Sequence, residues 1–483
     1  MLKALLLLPL LAALLVAVLP ARRVNLIRNV AAASAVLVLL GTLLLIAGFD
    51  HGQGGLQFFE TRPWNPRVGS SFSLGVDGIS LPMIVLAALL SLVAILASGS
   101  IRSGARLYFS LLLVLESAML GVFMARDWSL FYVFWELTLI PLFFLIDRMG
   151  GGNRHRAALN FVLYTLGGSV FMLVALLLLY DAAPGHSFAM ADMAEGARGL
   201  PLATQLLIFA GLFIGFGVKM PVFPLHGWLP LAHVEAPVPV SILLSGVLLK
   251  MGSYGLIRAA ETLPAATLHL QDALALLALV SLIYGSVLAW RQTDLKKMVA
   301  YSSVAHMGVV LLGIATLSVA GLAGAVFQMV AHGLAAGLLF LLVGVIYQRT
   351  HTRELHEIGG LRSAAPRLTF LLTLALLASA GLPGSAGFIA ELHVLIAGFE
   401  RWQGGVVLLS IGVLISAAYA LRVTGRLCLG QAMHAGTVTD IDRTELLGAA
   451  TLALIIVFAG IYPAPLLRLS AASVRGIAAL FGG

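Results

Sequence analysis

The sequence predicts an all-α polytopic membrane protein of about fourteen transmembrane helices, with two inverted five-helix repeats and two discontinuous helices. Three observations predict it. Sixty per cent of the 483 residues are hydrophobic and only 10% are charged, with a mean hydropathy of +1.03, whereas a soluble domain carries about 25% charge. The apolar residues fall into runs near the ~20 residues that span a hydrocarbon core. Two of those runs are far longer than the rest, and each carries a helix breaker.

Taken in order, the apolar segments are 3–20, 29–49, 79–98, 107–125, 129–146, 157–180, 203–233, 237–258, 268–290, 298–317, 320–347, 368–398, 405–427 and 447–467. Lys3 before a leucine run resembles the start of a signal peptide. No small-x-small cleavage site precedes Arg22 and Arg23, so the first segment is expected to be a retained helix. Residues 50–78 and 181–202 are the longest exterior loops, and neither is long enough for a soluble domain. The chain divides into three N-terminal helices (1–98), a first repeat (107–258), a second repeat (268–427) and a C-terminal helix with a tail (447–483).

Charge orients the bundle. Eighteen of the 29 basic residues lie in one set of loops, among them Arg22, Arg23, Arg102, Arg148, Lys296 and Arg349; nine lie on the other side. Excess Lys and Arg mark the cytoplasmic loops, so both chain ends are expected on the non-cytoplasmic side of a bacterial inner membrane. This placement accounts for the net charge of +8 without a nucleic-acid partner. Only Lys219 and Lys250 are left for the membrane interior.

Segments 203–233 and 368–398 are too long for one span: thirty-odd residues rise about 46 Å against a core of about 30 Å. The first contains Pro221 and Pro224, the second Gly381-Leu-Pro-Gly384. Each proline removes a backbone donor and disfavours helix before it. Such freed groups persist in a membrane only where protein or wet space covers them. The two segments are the seventh and twelfth. An offset of five reverses topology, so helices 4–8 and 9–13 are expected to form an inverted repeat.

Titratable residues gather at the same depth, where they are costly and mark ion pathways. Glu136 lies in the fifth segment, and Lys219, at the first break, is its natural partner; alternatively Lys219 snorkels to an interface. Lys250 is more than two helical turns from either end of its segment, too deep to snorkel easily. His306 and His332 are on adjacent segments near Ser302, Ser303 and Gln328, an arrangement suited to a hydrated relay because imidazole titrates near neutrality; a structural role for each is the alternative. Glu391 follows the second break by two turns, near the end of that segment, as either a capping group or a proton exit. Glu116, His226, His233 and Glu235 are supporting candidates. A metal site is not expected, for lack of a third ligand or H-x-x-x-H spacing. A cofactor is not expected either. Cys428 is the single cysteine, which excludes an internal disulfide and a cysteine-ligated iron–sulfur centre. No P-loop or strand-borne G-x-G-x-x-G occurs, and Gly150-Gly-Gly152 reads as a turn.

Three stretches carry a resemblance over essentially the whole chain: Lys219-Met-Pro-Val-Phe-Pro-Leu-His-Gly-Trp-Leu-Pro-Leu-Ala-His-Val-Glu-Ala-Pro-Val, Trp135-Glu136, and Gly381-Leu-Pro-Gly-Ser-Ala-Gly-Phe-Ile-Ala-Glu391. They resemble the antiporter-like subunits of respiratory complex I. Glutamate rather than lysine at position 391 makes the chain most similar to the subunit M (NADH dehydrogenase subunit 4) branch. The resemblance implies a mid-membrane polar axis of Glu136, Lys219, Lys250, His306, His332 and Glu391. It implies proton translocation coupled to quinone chemistry elsewhere in the complex, no redox centre in this chain, and other membrane-arm subunits, including sister antiporter-like subunits, as partners. A multisubunit Na⁺/H⁺ antiporter and an energy-converting membrane hydrogenase share the core motif and stay open as alternatives.

Overall fold

The computed structural model describes residues 1–430 and 438–482. Helices fill all fourteen predicted segments. Eleven of these, and a twelfth stretch in the tail, Ala464–Phe481, are long and apolar enough among the described residues to cross a membrane; the first (Leu2–Val18), the third (Ser80–Leu96) and the divided twelfth segment are shorter. The chain is a multi-pass membrane protein.

The helices sort by burial. Val238–Thr262, Leu295–Ala315 and Val319–Thr350 are almost wholly enclosed, while Val24–Ala47 and Gln271–Arg291 turn most of their surface outward. Apolar residues on every face fit either a buried core helix or a lipid-facing one. Small residues distinguish the enclosed ones, because in lipid they let backbones approach closely. A Cβ added at Gly252 would stand 2.5 Å from the Phe216 carbonyl oxygen and 2.7 Å from the Met220 nitrogen. That close approach locks Val238–Thr262 against the end of the first interrupted helix.

Both breaks are where the prolines and glycines predict them. Leu202–Lys219 ends at the first, and Leu229–Glu235 resumes the span. The freed backbone groups find protein partners: Trp228 Nε1 donates to the Val218 carbonyl at 2.8 Å, and the Phe223 N–H donates to Ser281 Oγ at 3.0 Å. The second break separates Pro366–Ser379 from Ala386–Trp402, with Gly381 and Gly384 at φ +72° and +92°. Those left-handed values favour glycine. Glu391 is therefore in the second turn of the resumed helix, beside the break, and not near the segment's end, because the helix runs on to Trp402.

A third irregularity has no proline, only the pair Ser245-Gly246. Leu244–Leu248 forms a π-helical turn between Val238–Leu243 and Leu249–Thr262. Such turns widen a helix and leave carbonyls for other donors.

The exterior segments are more ordered than expected. Residues 50–78 contain an antiparallel hairpin, Gln57–Asn65 with Ser70–Val76, closed through Pro66–Val68 and Gly69 at φ +61°. Residues 181–202 contain the helix Met190–Arg198, and the tail folds as the helix Ala464–Ala478. Nor are Lys219 and Lys250 alone among buried cations: Arg126, Arg258 and Lys296 are buried too. Arg126 Nη2 is 3.3 Å from Asp77 Oδ2, and Arg258 bonds the same oxygen. This triad ties the start of Ser80–Leu96 to the linker before Trp128 and to the end of Val238–Thr262.

Candidate functional site

The first break places Lys219 at the C-terminal end of its half-helix, fully enclosed. Its Nζ donates to Thr138 Oγ1 at 3.0 Å and lies 4.8 Å from the Trp135 ring centre. Cation–π contact of this kind stabilises a desolvated ammonium by about 2 kcal/mol. Thr138 stands where the fifth segment divides into Trp128–Leu137 and Leu139–Met149, its hydroxyl donating onward to the Trp135 carbonyl. Glu136 is on the same turn, yet no ion pair joins it to Lys219 among the described residues. Its carboxylate borders a lateral crevice of about 450 Å³ lined by Tyr132, Ile140 and Leu166, and Oε1 has no protein partner. The expected pair is thus open, with Thr138 holding the amine.

Lys250 belongs to a second cluster. Its Nζ donates to the Ser245 carbonyl at 2.6 Å, inside the π-helical turn, and is 2.6 Å from His332 Nδ1. An ammonium donor requires that Nδ1 accept. The His332 and His306 rings are 5.1 Å apart, centre to centre. His306 Nε2 donates to the Ser379 carbonyl at 2.7 Å, a group freed by the second break, and is 4.0 Å from Glu391 Oε1. Four predicted residues thus form one file: Lys250, His332, His306, Glu391. Both backbone irregularities feed it, each supplying a carbonyl that an ideal helix would have used internally. Gly252, two residues along from Lys250, packs against the backbone at Phe216 and Met220, so the helix that carries Lys250 also braces the half-helix that ends in Lys219.

The supporting candidates divide. Glu116 is wholly buried and neither carboxyl oxygen has a protein partner. His233 is fully buried, stacked on Phe340 at 4.6 Å, with both nitrogens unpartnered. His226 stacks on Phe223 and meets Tyr284 edge-on inside the first break. Glu235 is elsewhere, in a cleft of about 410 Å³ beside Lys296 and Arg353, where it accepts the Asn153 N–H at 3.0 Å. Lys296 donates to the Ala236 carbonyl at 2.6 Å.

Sequence reasoning missed Thr138 and the Ser245 and Ser379 carbonyls. Thr138 had a signal, since it follows Glu136 by two residues in an apolar span. The carbonyls had none, because backbone acceptors carry no residue identity.

Residues 125–416, which include both clusters, match the NADH:quinone oxidoreductase/Mrp antiporter transmembrane family. An NAD(P)H-quinone oxidoreductase chain 4 of Thermosynechococcus vestitus is 42% identical over 95% of this chain and 88% of its own length. The NADH-quinone oxidoreductase subunit M of Rickettsia conorii is 36% identical over 94% of this chain and 92% of its own. A chain of respiratory complex I from Thermus thermophilus superposes with a TM-score of 0.92 at 32% identity, covering all of both chains. The chain belongs to the NADH:quinone oxidoreductase/Mrp antiporter transmembrane family, and its relatives within it are the chain 4 and subunit M proteins of quinone oxidoreductases.

Proposed function

We propose that this chain is a proton-translocating membrane-arm subunit of an NADH:quinone oxidoreductase, of the subunit M type. The observation that carries this reading is the file of buried titratable groups, Lys250–His332–His306–Glu391, on helices packed against the half-helix that ends in buried Lys219. Groups so enclosed exchange protons only with one another and with water bridging the unpartnered atoms. The reading assigns the chain no redox centre. Quinone reduction elsewhere in the complex drives the steps, sister antiporter-like subunits flank this one, and both chain ends face away from the cytoplasm of a bacterial inner membrane. The two breaks, five segments apart, support an inverted repeat as the frame.

The working element is a switching ion pair. With Glu136 against Lys219 the ammonium is held charged. With the pair open and Thr138 as the amine's partner, that stabilisation is gone and the proton moves toward Lys250 and the histidines. At an effective dielectric near 20, a charge at 4 Å contributes about 4 kcal/mol, enough to reverse a proton equilibrium. Glu136, half-buried at the lateral crevice, is accessible to a charge from an adjoining subunit, which would set its position.

Affinity purification of the tagged chain from its native membrane tests the assignment. Co-purification with NADH- or quinone-reactive subunits is expected. Recovery with cation-antiporter subunits alone, or with hydrogenase subunits, would contradict it.

A further inference from the structure

The helix Ala464–Ala478 packs beside the end of Val24–Ala47 and the start of Ser80–Leu96, with one face buried and the other exposed. Its buried side is anchored: Ser473 Oγ accepts the Gly78 N–H at 2.9 Å and donates to the Gly54 carbonyl at 3.1 Å. Alongside that anchor a crevice of about 750 Å³ remains, with Ile46, Pro82, Val85, Leu466 and Leu469 forming an apolar wall. His51, Arg468 and Arg475 line it too, and no acidic residue does.

Arg468 and Arg475 are seven residues apart, so they share one helix face. Both are exposed, and neither makes an ion pair or a hydrogen bond among the described residues. Their position is unusual. They belong to the minority of basic residues on the side that charge bias marks as non-cytoplasmic, so topology gives no reason for them. An amphipathic helix with paired arginines above an apolar slot, at the level where two spans end, has the layout of a headgroup site over acyl chains.

We infer that this crevice binds one anionic phospholipid, its phosphate held between Arg468 and Arg475 and an acyl chain lying along Ile46, Val85 and Leu469. Guanidinium groups bind phosphate bidentately. The wall is continuous with lipid-facing surface of Val24–Ala47, so an acyl chain enters from the bilayer without crossing polar protein. A zwitterionic lipid would bring its own headgroup cation beside two arginines, with no acidic residue in the lining to receive it, and a lipid without phosphate would leave both arginines unused.

The test uses the intact membrane complex containing this chain, reconstituted with diazirine-bearing phosphatidylglycerol or, separately, diazirine-bearing phosphatidylcholine. After irradiation, adducts are mapped by peptide mass spectrometry. The phosphatidylglycerol probe should label residues 46–52, 82–85 and 465–475 in preference to the phosphatidylcholine probe. Labelling should fall about fivefold in each of R468Q and R475Q, persist in R468K/R475K, and stay unchanged with excess inorganic phosphate. Equal labelling by the two probes would overturn the inference. So would labelling indifferent to R468Q/R475Q, competition by free phosphate, or cross-links in the crevice to a neighbouring subunit instead of lipid.

Discussion

Lys250 Nζ and His332 Nδ1 stand 2.6 Å apart in the enclosed centre of the bundle, and the Ser245 carbonyl holds the same amine from the other side. One proton thus has two nitrogens within reach, and the π-helical turn keeps it between them. Replacing either residue removes a step and not merely a contact. Lys250→Ala and His332→Ala are each expected to lower coupled proton translocation about tenfold or more, with the complex still assembled. The double variant should be no worse than the poorer single one, because groups acting as a unit are non-additive. Translocation assays on assembled complexes check this; additive losses would separate the two residues.

Glu391 joins the file through His306, at 4.0 Å. If its part is to carry a proton, a different titratable group should serve in its place. Glu391→Lys is expected to retain more translocation than Glu391→Ala, measured in vesicles at matched complex content. Equal activity of wild type and both variants would remove Glu391 from the path.

The Asp77 triad gives a stability prediction with a defined pH dependence. Burial alone would raise the Asp77 carboxyl, but Arg126 and Arg258 outweigh it and hold the group well below the usual carboxylate range. A carboxyl lowered by folding adds stability that is fully present above its unfolded value, near 4, and is lost only as pH falls through the folded one. Asp77→Asn leaves the buried Arg126 without an anion and Arg258 with only the half-exposed Glu261, and should cost about 3–5 kcal/mol. Thermal melts should show a gap between wild type and D77N that is constant from pH 8 to pH 5 and narrows only below about pH 4. A gap that closes near neutrality would contradict the arrangement.

Gly252 sets how closely the helix bearing Lys250 packs on the half-helix ending in Lys219. A Gly252→Leu side chain would collide with the backbone at Phe216 and Met220, at a cost of about 1–3 kcal/mol through overpacking. Translocation should fall even though no titratable group has been touched. Gly252→Ala should show the same effect in smaller degree. Unaltered translocation in Gly252→Leu would mean that this helix contact has no bearing on the proton path.

Much of this architecture was legible in the sequence, because lipid forbids most alternatives. Runs of ~20 apolar residues have to be helices, and Pro221, Pro224 and the glycines at 381 and 384 have to interrupt them. Intramembrane charge is rare enough that Glu136, Lys219, Lys250, His306, His332 and Glu391 stand out singly, although four of them forming one file required coordinates. The burial of Arg258 was hidden, since its partner Asp77 is 181 positions away and a basic residue at a helix end reads as exposed. The π-helical turn at Leu244–Leu248 had only Ser245-Gly246 to announce it, a pair that many regular membrane helices carry. The hairpin had a turn signal in Asn65-Pro66 and Gly69, but its partly exposed strands lack the clean alternation that marks a half-buried sheet. The helix Ala464–Ala478 follows Pro463 and alternates polar with apolar residues, so hydropathy alone read it as tail.

The central claim is that Lys219, released from Glu136, passes its proton inward. Its most direct measurement is the number of protons translocated per electron in proteoliposomes containing the whole complex with Lys219→Ala. The account predicts a lower ratio, or a coupled turnover that falls with it, in complexes that assemble with all their subunits. An unchanged ratio at normal turnover would contradict it.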